Sequence, residues 1–510
     1  MHIGIDVGGT NTDAVLMDGD GLVDKIKNPT TPDVTSGIIS CINTLISSRP
    51  DVGQINAVML GTTHFVNALL QRRELAPSAA LRLCLPATTM LPPLVDWPDD
   101  LKNSIGGHTY MARGGHEYDG REISSIDEKE LRKIAKQMTD EGVRSVSICG
   151  VFSPVDGSHE KIAAEIIKSE TPDVNITLSS EIGRVGLLER ENAAMLNACL
   201  VEVASKTVAA IRTAMLSAGL NVPLFFSQND GTLMESEFAS HYPVFTIASG
   251  PTNSMRGAAF LSGVLDAVVV DIGGTSTDGG MLIHGFPREA AVSVNVAGVR
   301  TNFRMPDVFS TALGGGSLIK QNPLTIGPES VGFKLAREAM VFGGGQMTAT
   351  DIAVANGMAE VGDRRLVSNI ESSFAEDTID EIQKRVEDVV DQVKISAQPV
   401  PVVLVGGGSI LVRNSFDGAS NVLRPSNAEV ANAIGAAISQ VGGQVEKVYS
   451  LTDMSRDEAL DLAKDEATQK AVEAGGDPKS IEIVDIEEIP LTYLPSNALR
   501  VKVKAVGNLI

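Results

Sequence analysis

The residues best suited to chemistry form one nine-residue phrase that occurs twice. It reads Ile5-Asp6-Val7-Gly8-Gly9-Thr10-Asn11-Thr12-Asp13 near the N-terminus, then Val270-Asp271-Ile272-Gly273-Gly274-Thr275-Ser276-Thr277-Asp278 265 positions later. Paired glycines let a backbone approach a ligand closely and reach positive φ. Their N–H groups, with the hydroxyls of Thr10, Thr12, Thr275 and Thr277 and the side chains of Asn11 and Ser276, can ring phosphate oxygens. Asp6 and Asp271 can hold Mg2+ directly or through water. If the copies face each other, both carboxylates enter one cleft, where a cation relieves their repulsion. Asp13 and Asp278 either hold the turn in shape or position water. Two ordinary glycine hairpins are the plainer alternative, but duplication of the whole phrase favours two phosphate hairpins gripping one nucleotide, with Mg-ATP the simplest ligand.

Each copy follows an apolar run and precedes another, so each predicts a strand, a tight turn and a return strand. A second turn signal closes each return strand, at Gly19 and at Gly285. Two copies of one hairpin imply two related lobes. The buried run Val402–Val405 leads into Gly406-Gly407-Gly408-Ser409. That glycine run either leaves room for a nucleoside or makes a tight strand-to-helix turn. Gly61-Thr62-Thr63-His64, with Asn67, also follows a strand. Thr62, Thr63, His64 and Asn67 are candidates for a small polar substrate or a terminal phosphate, and His64 can equally be a packed histidine. Arg113, an anion-binding candidate in an irregular stretch, and Asn229, in a polar turn, are further candidates for substrate contact.

Composition bounds the class. With 510 residues the length prior is about three domains. Apolar content of 43% and charged content of 21% describe an ordinary globular chain. A net charge of −22 argues against a nucleic-acid or anionic-membrane surface. No run of about 18 uninterrupted apolar residues predicts a membrane span, and no basic, apolar leader pattern opens the chain. Cys41, Cys84, Cys149 and Cys199 are scattered without Cys-x-x-Cys spacing. Disulfides and zinc are therefore not expected, and the cytoplasm is the default compartment. The chain lacks the Gly-x-x-x-x-Gly-Lys-Ser/Thr loop, the Gly-x-Gly-x-x-Gly fingerprint, the Gly-x-Ser-x-Gly elbow and His-Glu-x-x-His.

These elements predict an α/β fold with a first lobe over 1–190, a second over 191–440 and a small α/β module over 441–510. Residues 76–126, rich in proline and glycine, read as an irregular insertion, either a lid or a plain loop. Asp127 is expected to cap a helix whose stripe is Leu131, Ile134, Ala135 and Met138. A long helix from Gly186 to about Ser217 is a candidate to cross between the lobes. Ile379, Ile382, Val386, Val389, Val390 and Val393 mark another helix.

The two Asp-x-Gly-Gly-Thr hairpins, with Val405-Gly406-Gly407-Gly408, resemble the actin/Hsp70/sugar-kinase ATPase superfamily. Asp271-Ile272-Gly273-Gly274-Thr275-Ser276-Thr277-Asp278 resembles the hydantoinase/oxoprolinase A-subunit family more closely. Other phrases agree: Leu60-Gly61-Thr62-Thr63-His64-Phe65-Val66-Asn67, Glu181-Ile182-Gly183, Glu189-Arg190-Glu191-Asn192, Ser249-Gly250-Pro251, Gly327-Pro328-Glu329-Ser330 and Thr350-Asp351. The resemblance covers roughly residues 1 to 440. It implies a two-lobed actin-like (ribonuclease H-like) fold and an ATP-dependent step on a cyclic amide such as 5-oxoproline, a hydantoin or a lactam. ATP and Mg2+ would be the cofactors, Asp6 and Asp271 the metal and catalytic residues, and a B-type subunit or a second copy the partner. Some family members carboxylate ketones instead. A sugar-kinase-type kinase and an ATP-driven reactivating chaperone are the rival readings from the wider superfamily.

Overall fold

The computed structural model describes residues 1–31, 34–48, 54–291, 293–452, 454–491 and 498–509. Each copy of the repeated phrase forms the expected hairpin. His2–Val7 pairs antiparallel with Asn11–Asp18, placing Asp6 opposite Asp13. Ala267–Ile272 pairs antiparallel with Thr277–Ile283, placing Asp271 opposite Asp278. The turns match bond for bond. Gly8 N donates to Asn11 O at 3.0 Å, and Gly273 N donates to Ser276 O at 2.9 Å. None of these four glycines takes positive φ, contrary to expectation. Small size is what the turns need instead, since a Cβ on Gly8 or Gly273 would stand 3.3 Å from the carbonyl oxygen of Asn11 or Ser276.

Each hairpin's first strand then pairs parallel with a strand from farther along the chain. His2–Val7 takes Ala57–Thr62, and Ala267–Ile272 takes Val400–Val405. Parallel neighbours need long crossovers, and these carry the helices that cover both faces. Five layers result. Helices Val34–Ser48 and Leu187–Ser217 cover the outer face of the first sheet, and Ser372–Val393 covers that of the second. Between the sheets lie Ala431–Ala437 on the first and Ser249–Ser262 on the second. These two helices touch backbone to backbone. A Cβ on Gly257 would fall 1.9 Å from Ala431 O, and one on Gly435 1.9 Å from Asn253 O.

The apolar stripes read from periodicity are buried, both Leu131, Ile134, Ala135 and Met138 and the set from Ile379 to Val393. Domain bounds are where the structure differs from the reading. Among the described residues the first sheet has nine strands, in the order Glu482–Leu491, Ala498–Gly507, Gln440–Ser450, Thr232–Glu235, Leu224–Ser227, Ala57–Thr62, His2–Val7, Asn11–Asp18, Gly21–Pro29. Strands within 191–440 thus complete the first lobe. Strands Gln440–Ser450, Glu482–Leu491 and Ala498–Gly507 extend that same sheet, with helix Arg456–Glu473 packed on them around a small core of its own, so this α/β addition is continuous with the first lobe. The tail is locked on by Lys504, which is buried 3.3 Å from the buried Asp230 carboxylate.

Residues 76–126 are not an irregular insertion. Ser78–Leu85 and His108–Arg113 join Ser145–Gly150 and Asn175–Leu178 in a four-stranded parallel sheet with its own core. Prolines between the strands disguise it. Helix Leu187–Ser217 does not cross between the lobes: it packs in the first lobe's core and against the four-stranded sheet. Among the described residues it is the one helix long and apolar enough to span a membrane, and 72% of its most apolar window is buried, as in a core helix. All four cysteines are buried and free.

Candidate active site

The hairpin tips meet at the base of a cleft of about 400 Å³ between the lobes. Gly8, Gly9, Thr10, Asn11 and Asp13 line one side; Gly273, Gly274, Thr275, Ser276 and Asp278 line the other, with Gly406, Gly407 and Gly408 beside them. Asp6 and Asp271 both reach it, as the duplication predicts. The glycines leave a cradle. A Cβ at Gly9 or Gly407 would meet nothing within 4 Å. At Gly406, φ is +82°, and a Cβ would strike Asp271 Oδ1 at 2.2 Å, so this turn can carry only glycine.

The acidic groups are held from the two middle helices. Asn253 Nδ2 donates to Asp6 Oδ1 at 3.1 Å, and Asn432 Nδ2 donates to Asp6 Oδ2 at 3.0 Å and Asp13 Oδ2 at 3.1 Å. Ser254 Oγ donates to Asp271 Oδ2 at 2.5 Å. Burial raises the Asp6 carboxyl to about 6, with the neighbouring Asp13 adding to the rise and the two asparagines opposing it. Burial raises Asp278 to about 6 as well, against a hydrogen bond from Ser310. Asp271 is raised by burial too. Asp13 is raised by burial and opposed by the Lys27 ammonium. Five carboxylates (Asp6, Asp13, Asp271, Asp278 and Glu429) therefore share the cleft with one Lys27. A polyanion entering it must bring positive charge, so Mg2+ carried on phosphates fits the donor set. Among the described residues no cluster of three or more His, Cys, Asp or Glu side chains is arranged to hold a metal ion by itself.

Several predicted residues lie elsewhere. Thr12 and Thr277 are buried away from the cleft, because side chains alternate along a strand and Asp13 and Asp278 take the cleft face. Thr277 Oγ1 donates to Leu313 O. Ser409 sits past the glycine turn and does not line the cleft. Thr63 does line it, while Asn67 Nδ2 donates to Thr63 Oγ1 at 3.3 Å and so supports it from behind. Thr62 is buried and accepts from His64 N at the start of helix His64–Gln71. His64 is half-buried outside the lining, and burial lowers its pKa. Arg113 is exposed on the edge strand of the four-stranded sheet, which carries neither hairpin, and does not line the cleft. Asn229 is buried, and its amide serves Val244 O, Arg304 O and Ala248 N, so it is a structural bracket with no free group for a substrate.

The reading from sequence missed Lys27, Asn253, Ser254, Glu429 and Asn432, and also Gly250, Pro251, Leu335 and Thr350. Ser249-Gly250-Pro251 and Thr350-Asp351 were visible as phrases, but nothing local in them points to a cleft. Thr350 Oγ1 donates to Gly315 O, fastening the turn that wraps the second hairpin.

Comparison with known proteins matches this architecture. Residues 2–171 match the model of the hydantoinase/oxoprolinase N-terminal region, and residues 190–393 match that of hydantoinase/oxoprolinase. The caprolactamase alpha subunit of Pseudomonas jessenii is 26% identical over 387 residues, covering 70% of this chain and 54% of that protein. The acetophenone carboxylase gamma subunit of Aromatoleum aromaticum is 24% identical over 390 residues, covering 70% and 53%. The chain thus spans about half the length of these curated relatives. The solved structure of the ATP-dependent caprolactamase from Pseudomonas jessenii superposes with a TM-score of 0.79 at 20% identity, over 100% of this chain and 88% of that one. The fold is the two-lobed actin-like α/β architecture, and the chain belongs to the hydantoinase/oxoprolinase family.

Proposed function

We propose that this chain is an enzyme of ATP-dependent cyclic-amide hydrolysis, working with a B-type partner subunit on a 5-oxoproline, hydantoin or lactam substrate. The observation that carries the reading is the pair of matched glycine tips facing each other across an acidic cleft. Caprolactamase, an amide-ring enzyme by name, is among the relatives, and its matched chain is a subunit. ATP, when bound, would supply the phosphoryl group that activates the amide oxygen and makes the carbonyl carbon an electrophile for water; the ring C–N bond then breaks with nitrogen leaving as the amine, and a second water releases the phosphate from the acyl group, leaving a carboxylate, phosphate and ADP. Within the cleft, the backbone N–H groups of Gly9 and Gly274 and the side chains of Thr10, Asn11, Thr275 and Ser276 bind and orient phosphate oxygens. Asp6 and Asp271 are the residues that would hold Mg2+ carried on the phosphates, with Asp6 kept in place by Asn253 and Asn432. Gly406–Gly408 gives the nucleoside a flat wall. Thr63 borders the cleft on the first-lobe side, its hydroxyl donating to Val7 O and accepting from Asn67 Nδ2, so it shapes the substrate wall.

The test is ADP release with Mg-ATP against 5-oxoproline, hydantoins and lactams, for the chain alone and with its co-expressed partner. Stimulation by one compound establishes the reaction class. No stimulation in either preparation overturns the hydrolase reading. A second reading, activation of a ketone for carboxylation, is favoured by the similarity to an acetophenone carboxylase subunit. Ketone- and bicarbonate-dependent ADP release would select it.

A further inference from the structure

The two hairpins share one frame but differ in charge on the third strand. In the first lobe, Lys27 on Gly21–Pro29 stands directly opposite Asp13, which stands opposite Asp6. In the second lobe the same row reads Asp271, Asp278 and Ser310. Lys27 Nζ donates to Asp13 Oδ1 and Oδ2, both at 2.8 Å, and to Glu429 O at 3.0 Å. Among the described residues it is the one cationic side chain lining the cleft. Its side chain is 34% exposed, against 4% for Asp13.

An ammonium has three donors, and here all three are engaged. Its two anionic contacts come from a single carboxylate that has another partner, because Asn432 Nδ2 also donates to Asp13 Oδ2. Lys27 can therefore release one Asp13 oxygen without leaving that buried carboxylate bare. A terminal phosphate carries more charge than a carboxylate and would reach the cleft beside Thr10 and Asn11, on the same hairpin as Asp13. We propose that Lys27 is the cation that contacts the terminal phosphate of the bound nucleotide, and that Asp13 is the dock that holds it between ligands. The second lobe, with Ser310 in the equivalent place, carries no ammonium on its own row. This rests on the ATP reading of the cleft.

Calorimetric titration of Mg-ATP and Mg-ADP into the full chain tests it, since ADP lacks the phosphate in question. Wild type is expected to bind Mg-ATP more tightly, Lys27→Met to lose about tenfold or more of that preference, and Lys27→Arg to keep most of it. The double variant Asp13→Asn/Lys27→Met removes both charges, so it folds without an unpaired buried carboxylate. It is expected to lack the preference as well. Wild-type preference in Lys27→Met or in the double variant would overturn the proposal, since Lys27 would then only neutralise Asp13. A wild-type chain that binds both nucleotides equally overturns it too, while one that binds neither overturns the ATP reading itself.

Discussion

Thr10 Oγ1 lies 3.1 Å from Thr275 Oγ1, so the two copies of the repeated phrase touch tip to tip across the cleft. The contact depends on a missing side chain, because a Cβ on Gly274 would stand 2.9 Å from Thr10 Cγ2 and Oγ1. Each tip therefore sets the position of the other, and with it the spacing of the donors proposed to hold phosphate.

Gly274→Ala is expected to force the tips apart and weaken Mg-ATP binding about tenfold or more, with little change in melting temperature. Adding Thr10→Ala removes the Cγ2 and Oγ1 atoms that the new Cβ meets but also a phosphate donor, so the double variant should bind no more tightly than Thr10→Ala alone. Calorimetry on these variants checks this. Unchanged affinity in Gly274→Ala would show that tip spacing does not matter for binding.

Asp6 governs part of the pH dependence of stability. Its carboxyl is raised from 3.8 to about 6, a difference of roughly 3 kcal/mol at most. A raised carboxyl favours the folded state fully below its unfolded value, and the benefit is lost as pH rises through about 6. In chelator, wild type should therefore lose melting temperature between about pH 4 and 6 relative to Asp6→Asn. Parallel melting profiles for the two proteins would refute this. Asp6→Asn and Asp271→Asn should each abolish Mg-ATP turnover with the fold retained, read by ADP release beside circular dichroism.

The close-packed middle helices carry Asn253 and Ser254 on one and Asn432 on the other. Gly257→Ala and Gly435→Ala must separate them, costing about 1–3 kcal/mol or more. Because those side chains hold Asp6, Asp13 and Asp271, Mg-ATP affinity should fall together with the denaturant midpoint. Loss of stability with affinity intact would show that the helices do not set the site.

Arg113→Ala should leave ADP release unchanged, since Arg113 is exposed outside the cleft. Asn229→Ala should cost about 2–4 kcal/mol of stability by stranding three buried backbone partners. Denaturant unfolding and a turnover assay separate the two effects.

The sequence by itself determined the local parts. A Gly-Gly-Thr turn between two apolar runs favours a hairpin, so both hairpins were legible from their residues. So were the helical stripes at Leu131–Met138 and Ile379–Val393, because 3.6-residue spacing is written along the chain. Duplication further implied two lobes and a shared cleft. Only tertiary structure decided sheet membership. Nothing local in Glu482–Leu491 or Ala498–Gly507 says that they extend the first lobe, because strand pairing is a long-range choice made by edges and buried charges such as Lys504 against Asp230. The same holds for the site. Asn432 is 426 residues from Asp6 and bonds to it only because glycines let two helices pack between the sheets. Thr12 and Thr277 carry the right chemistry, but strand alternation turns them into the core. Residue type shows what a side chain can do; packing decides whether it faces the cleft.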